Sequence, residues 1–278
     1  MKIVTDSTAD LRRETYEEEK IGVVPLTVRL GDRVWRDYLD IEPDDYYALL
    51  RKSTASPTTS QPSPQAFIDA YGPHTTAGEP ILSIHLSSKL SGTYQSATLA
   101  RAHFPQGTIE VIDSRQASLG LGMIVLLCKE RARSGASFQE VVDFGRDLAQ
   151  KVETYFSLDS LEYLKRGGRI GRAQSFLGTL MKVKPLLRLT DGEIHPLEKI
   201  RTTERLLNRF VELVKTEPRK GSSRRLIVAE SDNGDIAAGL LGRLMEIPGV
   251  SLVERCKLGG VITSHAGPGA LAISFVDG

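Results

Sequence analysis

The sequence predicts an α/β protein: an N-terminal domain with a parallel sheet between helices, then a C-terminal α+β domain with a mixed or antiparallel sheet. Three observations carry this expectation. Short apolar runs alternate with longer amphipathic ones through the first half of the chain, the order of strands and helices in βαβ units. Three of those runs end in bursts of hydroxyl and carboxylate side chains, at 5–8, 87–91 and 113–116. Near Thr154 the pattern changes to paired strands about tight turns, so the boundary divides the chain into 1–153 and 154–278.

Residues 2–4 read as a short strand ending in Thr5-Asp6-Ser7-Thr8, followed by a polar helix over 9–20. Residues 23–30 read as one strand, Gly31-Asp32 as a turn, and 34–41 as a hairpin or edge segment. Pro43 pre-sets the first turn of a helix that runs to Arg51. The stretch STASPTTSQPSP at 53–64 has the composition of a linker, yet it is short and lies between that helix and another helical segment, 65–71. Its prolines, Pro57, Pro62 and Pro64, hold Thr58, Thr59 and Ser60 in a fixed array, as loops with a function often do.

The sequence ILSIHLSSKLSGTYQSA at 81–97 gives a strand over 81–84, a tight turn over 87–92 and a helix over 93–104. A helix that opens at Ser91, Gly92 and Thr93 offers backbone N–H groups, hydroxyl donors and a positive dipole end at one point, which suits an anion. Ordinary N-capping by Ser88 or Ser91 is the simpler account of the same residues. A strand over 109–112 and helices over 117–134 and from the cap Ser137 to Lys151 complete this half. In parallel sheets ligands bind beyond the carboxyl ends of the strands, so the separate hydroxyl clusters point to one shared site.

In the second half, a strand over 154–158 and a short helix over 161–166 lead to the basic loop GGRIGR at 167–172 and an apolar helix over 173–181. The loop matches neither the dinucleotide fingerprint nor a Walker loop, and its glycines serve to aim Arg169 or Arg172. Strands over 183–189 and 193–200 flank Asp191-Gly192, the strongest hairpin signal in the chain. A helix over 203–215 carries Leu206, Leu207, Phe210, Val211 and Val214 on one face. Strands over 226–230, 251–257 and 271–276 and a helix over 235–246 follow, with His265 in a Gly/Pro-rich turn.

With 278 residues, a net charge of +1 and 26% charged residues, the surface is balanced, which gives no electrostatic basis for binding nucleic acid or a polybasic membrane contact. The longest apolar run, 119–128, is about half of a bilayer-crossing helix and is broken by Gly120 and Gly122, so no stable membrane insertion is expected. The N-terminus enters a strand without a signal-like segment, which predicts a cytoplasmic protein. Cys128 and Cys256 lack redox or zinc spacing, and no two of His74, His85, His103 and His195 lie at ligand spacing; neither metal nor cofactor is expected.

Seven motifs stand in order along the chain: TDSTADL at 5–11, SPTTSQPSP at 56–64, LSGTYQSA at 90–97, DSRQASLGLG at 113–122, LKRGGRIGRA at 164–173, KPLL at 184–187 and HAGPGALA at 265–272. Together they resemble the DegV family. The resemblance implies a two-domain fatty-acid-binding protein with the lipid between the domains. It also implies the role of acyl-carrier subunit of a bacterial fatty acid kinase, which is not a catalyst alone and presents the carboxyl group to a separate kinase that makes acyl phosphate. The motifs that hold the head group fall on Thr59, Ser91, Arg169, Arg201 and His265, with Ser60 and Gly92 beside them. Palmitate or stearate is the ligand class implied, and Arg169, Arg201 and His265 are expected to supply positive charge. A stand-alone serine hydrolase, with Ser91 as nucleophile and His265 as base, is the alternative; it is weakened because LSGT lacks the nucleophile-elbow pattern and no acidic third member is evident. A structural or regulatory protein without a ligand is the remaining class.

Overall fold

A computed structural model of the chain describes residues 1–105, 108–177, 183–215 and 223–278. The apolar run at the N-terminus forms β1 (Lys2–Asp6), which leads through a 3₁₀ turn, Ser7–Ala9, to α1 (Arg13–Glu18) and then to β2 (Gly22–Val24), parallel to β1. The single strand expected over 23–30 is two strands in two sheets. Pro25 has no N–H to give a ladder, and beyond it the chain leaves the parallel sheet as β3 (Thr27–Leu30), pairing antiparallel with β4 (Arg33–Arg36). After α2 (Pro43–Lys52), the polar stretch proves to be built structure: β5 (Thr58–Ser60) pairs with the other side of β3, Thr59 opposite Val28.

Ser63 caps α3 (Pro64–Thr76), accepting the Ala66 N–H at 3.3 Å. There follow β6 (Ile81–His85), buried at every position, α4 (Thr93–Arg101), β7 (Ile109–Asp113), α5 (Leu119–Arg133) and α6 (Phe138–Lys151), the last opened by a capping box of Ser137 and Glu140. The resulting four-stranded sheet has the order β2-β1-β6-β7, with every neighbour parallel.

The second half contains β8 (Glu153–Ser157), α7 (Glu162–Arg166), β9 (Lys184–Thr190), β10 (Glu193–Ile200), α8 (Thr203–Lys215), β11 (Arg224–Glu230), α9 (Gly234–Met245), β12 (Val250–Lys257), α10 (Gly260–Ala266) and β13 (Leu271–Asp277). Its six-stranded sheet runs β10-β9-β8-β13-β11-β12, antiparallel except between β11 and β12. Where an apolar helix was expected over 173–181, the chain makes a 3₁₀ turn, Gly171–Phe176; positions 178–181 of that expectation lie outside the described residues. The helix α10 was not expected at all.

The two sheets share one core. Helix α5 is buried along most of its length and lies between them, against β1 and β6 on one side and β11 and β13 on the other. A continuous apolar cluster runs from Ile3, Leu82 and Ile84 through Leu121, Ile124 and Val125 to Ile227, Ala229 and Ala272. A second cluster, centred on Phe210 and Leu240, lies beneath α8 and α9. Among the described residues no helix is long and apolar enough to cross a membrane. This arrangement turns the carboxyl ends of β6 and β7 toward the six-stranded sheet.

Candidate functional site

At that meeting point lies a cavity of about 360 Å³. The loop after β6 supplies Leu86 and Leu90, the start of α5 supplies Leu119, the mixed sheet supplies Phe156 and Leu189, and α10 supplies Val261. Along these walls the cavity is apolar. Its polar residues come from distant segments: Thr59 and Ser60 on β5, Ser91 before α4, Arg169 in the glycine-rich loop and His265 on α10 all line it. Ser60 and Arg169 are exposed, so the polar end is the open one.

The polar residues are linked through short contacts. Thr59 Oγ1 and His265 Nε2 are 2.9 Å apart. The Arg169 guanidinium donates from Nη1 to the Gly167 carbonyl at 2.6 Å and from Nε to the Leu90 carbonyl at 3.1 Å, which brings it to the residue before Ser91. The Ser91 hydroxyl lies 2.9 Å from that of Thr93, at the opening of α4. His265 packs so closely on the loop that a Cβ on Gly167 would lie 2.1 Å from its Nδ1; only glycine fits there. Five of the seven expected residues therefore line one cavity.

The other two stand apart from its lining. Gly92 lies behind it, its carbonyl accepting from Gln61 Nε2 at 3.2 Å, and Arg201 follows β10 at an exposed position. The expectation that His265 brings positive charge is corrected. Burial, and then the neighbouring Arg169 charge, push its pKa down to about 4, so the imidazole is neutral at pH 7. Cationic character at the open end thus comes from Arg169.

Three polar lining residues were not singled out from the sequence. Gln61 also donates to the Ser96 hydroxyl at 3.1 Å and so fastens β5 to α4; its place in the TTSQP motif was the available signal. Ser118 and Thr154 put polar side chains into the wall, each already hydrogen-bonded, to Asp10 and to Gln116. The place of Ser118 in the DSRQASLGLG motif was the available signal for it, whereas nothing in the local sequence marks Thr154. A second hydroxyl–imidazole–carboxylate chain exists elsewhere: Ser83 Oγ is 2.7 Å from His85 Nε2, and His85 Nδ1 is 2.9 Å from Asp6 Oδ2. All three side chains are fully buried and none lines the cavity, so this chain braces the parallel sheet rather than meeting a ligand.

The fold and the site define a three-sheet α/β protein with an interior apolar cavity that opens at an end lined by hydroxyls and a guanidinium. The chain belongs to the DegV family: the model for that family, described as that of an uncharacterised protein, matches residues 1–278. It is similar to a fatty-acid-binding DegV family protein from Thermus thermophilus, 36% identical with a TM-score of 0.93 and 99% of each chain covered. It is also similar to DegV of Bacillus subtilis, described as a fatty acid binding protein, at 33% identity, TM-score 0.88 and coverage of 100% of this chain and 99% of that one. A stearic-acid-binding protein from Eubacterium ventriosum is 26% identical, with a TM-score of 0.89 over 99% of this chain and 98% of that one.

Proposed function

We propose that this protein binds one long-chain fatty acid, with its carboxylate at Thr59 and Ser91 and its tail in the apolar cavity, and presents the carboxylate to a separate kinase for conversion to acyl phosphate. The observation that carries this reading is the convergence of Thr59, Ser60, Ser91, Arg169 and His265 on the open end of one apolar cavity. A carboxylate taken out of water must be hydrogen-bonded or paired with a charge. Hydroxyls of Thr59 and Ser91 can donate, and Arg169 supplies charge that gains value as the carboxylate becomes a phosphate anhydride. For the tail, about 14 methylenes at roughly 0.8 kcal/mol each offer on the order of 11 kcal/mol before the costs of association. Fatty acids are the ligands named for the Thermus, Bacillus and Eubacterium relatives, which supports the same ligand class here.

The hydrolase reading has less support. His265 Nε2 faces Thr59, and the Ser91 hydroxyl pairs with Thr93, so the nucleophile and base that it requires do not meet.

Native mass spectrometry of protein purified from a bacterial host, followed by extraction and lipid analysis, tests the carrier reading. The expected result is a stoichiometric mass excess that extracts as a long-chain fatty acid. A mass equal to that of the bare chain, unchanged after incubation with palmitate, would overturn it. For the second half of the proposal, the loaded protein is mixed with a fatty acid kinase catalytic subunit and ATP, and acyl phosphate is trapped with hydroxylamine. Absence of the hydroxamate, with lipid still bound, would leave a binding protein that serves some other purpose.

A further inference from the structure

Two buried carboxyls stand at the N-terminus of α10 and have no part in the site so far described. Asp10 Oδ1 accepts the Gly259 N–H at 3.0 Å, and its Oδ2 accepts the Ser118 hydroxyl at 2.5 Å. Asp37 Oδ1 accepts the Val261 N–H at 3.4 Å, and a Cβ on Gly260 would lie 3.2 Å from the same oxygen. Asp37 Oδ2 is buried without a hydrogen-bond partner among the described residues. The approach is close: a Cβ on Gly259 would lie 2.7 Å from the Tyr38 ring and 2.9 Å from Asp10 Oδ1. Backbone N–H groups that a helix start leaves unpaired are thereby met by side chains from the other half of the chain.

The same short helix presents His265 to Thr59 and lines the cavity with Val261, Ile262 and Ala266. Seven residues make less than two turns, too few for a helix to hold its own position without tertiary contacts. Tyr46 and Tyr47 of α2 brace its flank, through Ser264 at 2.5 Å and the Leu258 carbonyl at 2.5 Å. The two aspartates fix where it begins. Asp10 does more, because Ser118, its other partner, lines the cavity with a left-handed backbone at φ +54°. One carboxyl thus ties two walls together. Burying two carboxyls side by side costs their hydration, a poor means of stabilising a core, which favours a role in placement.

We infer that Asp10 and Asp37 are positioning residues for the head group: neither touches the ligand, and both act by fixing α10 so that His265 meets Thr59. The binding readout rests on the fatty-acid reading above. Burial raises the pKa of both carboxyls, which accords with their isolation from water on a helix start.

The test is palmitate titration of delipidated protein, with Asp37→Ala, Asp37→Asn, Asp10→Asn, His265→Ala and the double variant Asp37→Ala/His265→Ala. Asp37→Ala is expected to weaken binding about tenfold, and Asp37→Asn, which keeps an acceptor oxygen, to recover most of it. If Asp37 acts through His265, the double variant binds no more weakly than His265→Ala alone. Unchanged affinity in folded Asp37→Ala, or losses that multiply in the double variant, would overturn the inference. The imidazole nitrogen resonances of His265 in the ligand-free protein give a second readout, taken on the near-isosteric Asp37→Leu, which removes the acceptor oxygen, should the alanine variant fail to fold. Displaced resonances are expected and unmoved ones count against the inference. Were the wild-type protein not to bind palmitate, the fatty-acid reading would fall, and the resonances would still decide the positioning.

Discussion

Thr59 has one hydroxyl for two neighbours, and the protonation of His265 decides how it is shared. His265 Nδ1 is buried without a partner among the described residues, where a lone pair costs less than an orphaned N–H. Hydrogen-bond accounting therefore assigns the proton to Nε2, which donates to Thr59 and leaves the hydroxyl proton free for an incoming carboxylate. A hydrogen bond to a charged group contributes about 1.5–3 kcal/mol, so Thr59→Val should weaken palmitate binding by about 10- to 150-fold in calorimetry while Thr59→Ser stays near wild type. Equal affinity for the valine variant would remove Thr59 from the head-group site. Buried titrating groups also set a pH dependence of known sign. Asp37, raised to about 7 from an ordinary 3.8, keeps its proton in the folded chain where the unfolded chain has lost it. Its contribution to stability is therefore full below about pH 4 and declines by up to about 1.4 kcal/mol per pH unit as the pH rises to 7. His265, lowered to about 4 from 6.5, works in the opposite direction: its contribution is full above 6.5 and is lost as the pH falls toward 4. Denaturant midpoints between pH 4 and 7 should show Asp37→Asn gaining on wild type as the pH rises, and His265→Gln gaining as it falls. Parallel curves would exclude titration of these groups in that window.

At the scale of elements, stability resides in local caps and function in elements that local rules do not mark. The capping box of Ser137 and Glu140 satisfies two orphan donors at the start of α6, so Ser137→Ala should cost about 1 kcal/mol in urea denaturation and leave palmitate affinity unchanged. A loss of affinity would mean that α6 bears on the cavity. The strands β1, β6 and β7 and the helices α5 and α6 were legible because burial and period dictate them, but of the three hydroxyl clusters expected to share one site only that at 87–91 reaches the cavity, through Ser91. Three features were not. β5 carries Thr59, yet every residue in it is polar; it exists because β3 offers a free edge, a partner that the sequence around Thr59 cannot reveal. Pro25 splits one apolar run between two sheets, although periodicity runs through it unchanged. α10, with the sequence GVITSHA, opens on glycine and contains β-branched residues of poor helix propensity, and its capping carboxyls lie more than two hundred residues away in sequence. Separation in sequence also hides the charge state of His265, which depends on burial and on Arg169 rather than on its neighbours in the chain. The head-group residues were therefore found through the ordered family motifs more than through local pattern.

For the molecule as a whole, the question is whether 1–153 and 154–278 behave as two units or one. The strands of the two smaller sheets all precede residue 114, and those of the mixed sheet begin at Glu153 or later, which favours two. The packing favours one: α5 buries one side on the parallel sheet and the other on β11 and β13, and a single apolar cluster crosses between them. A fragment ending at 153 would expose that second face of α5 to water, at a cost of about 25 cal/mol for each Å² of apolar surface. We therefore expect one cooperative transition. The chain's single tryptophan, Trp35, stacks edge-on against Tyr46 beside the small sheet, so its fluorescence reports on the N-terminal half, whereas far-ultraviolet circular dichroism averages over both. In guanidinium the two midpoints should coincide. Palmitate at about 100 times its Kd should move both together by about 2.7 kcal/mol, because the cavity draws its walls from both halves and exists only when both are folded. An earlier fluorescence midpoint that lipid leaves in place would mean that the halves fold separately and that binding does not require the small sheet, in which case Thr59 would have no part in holding the ligand.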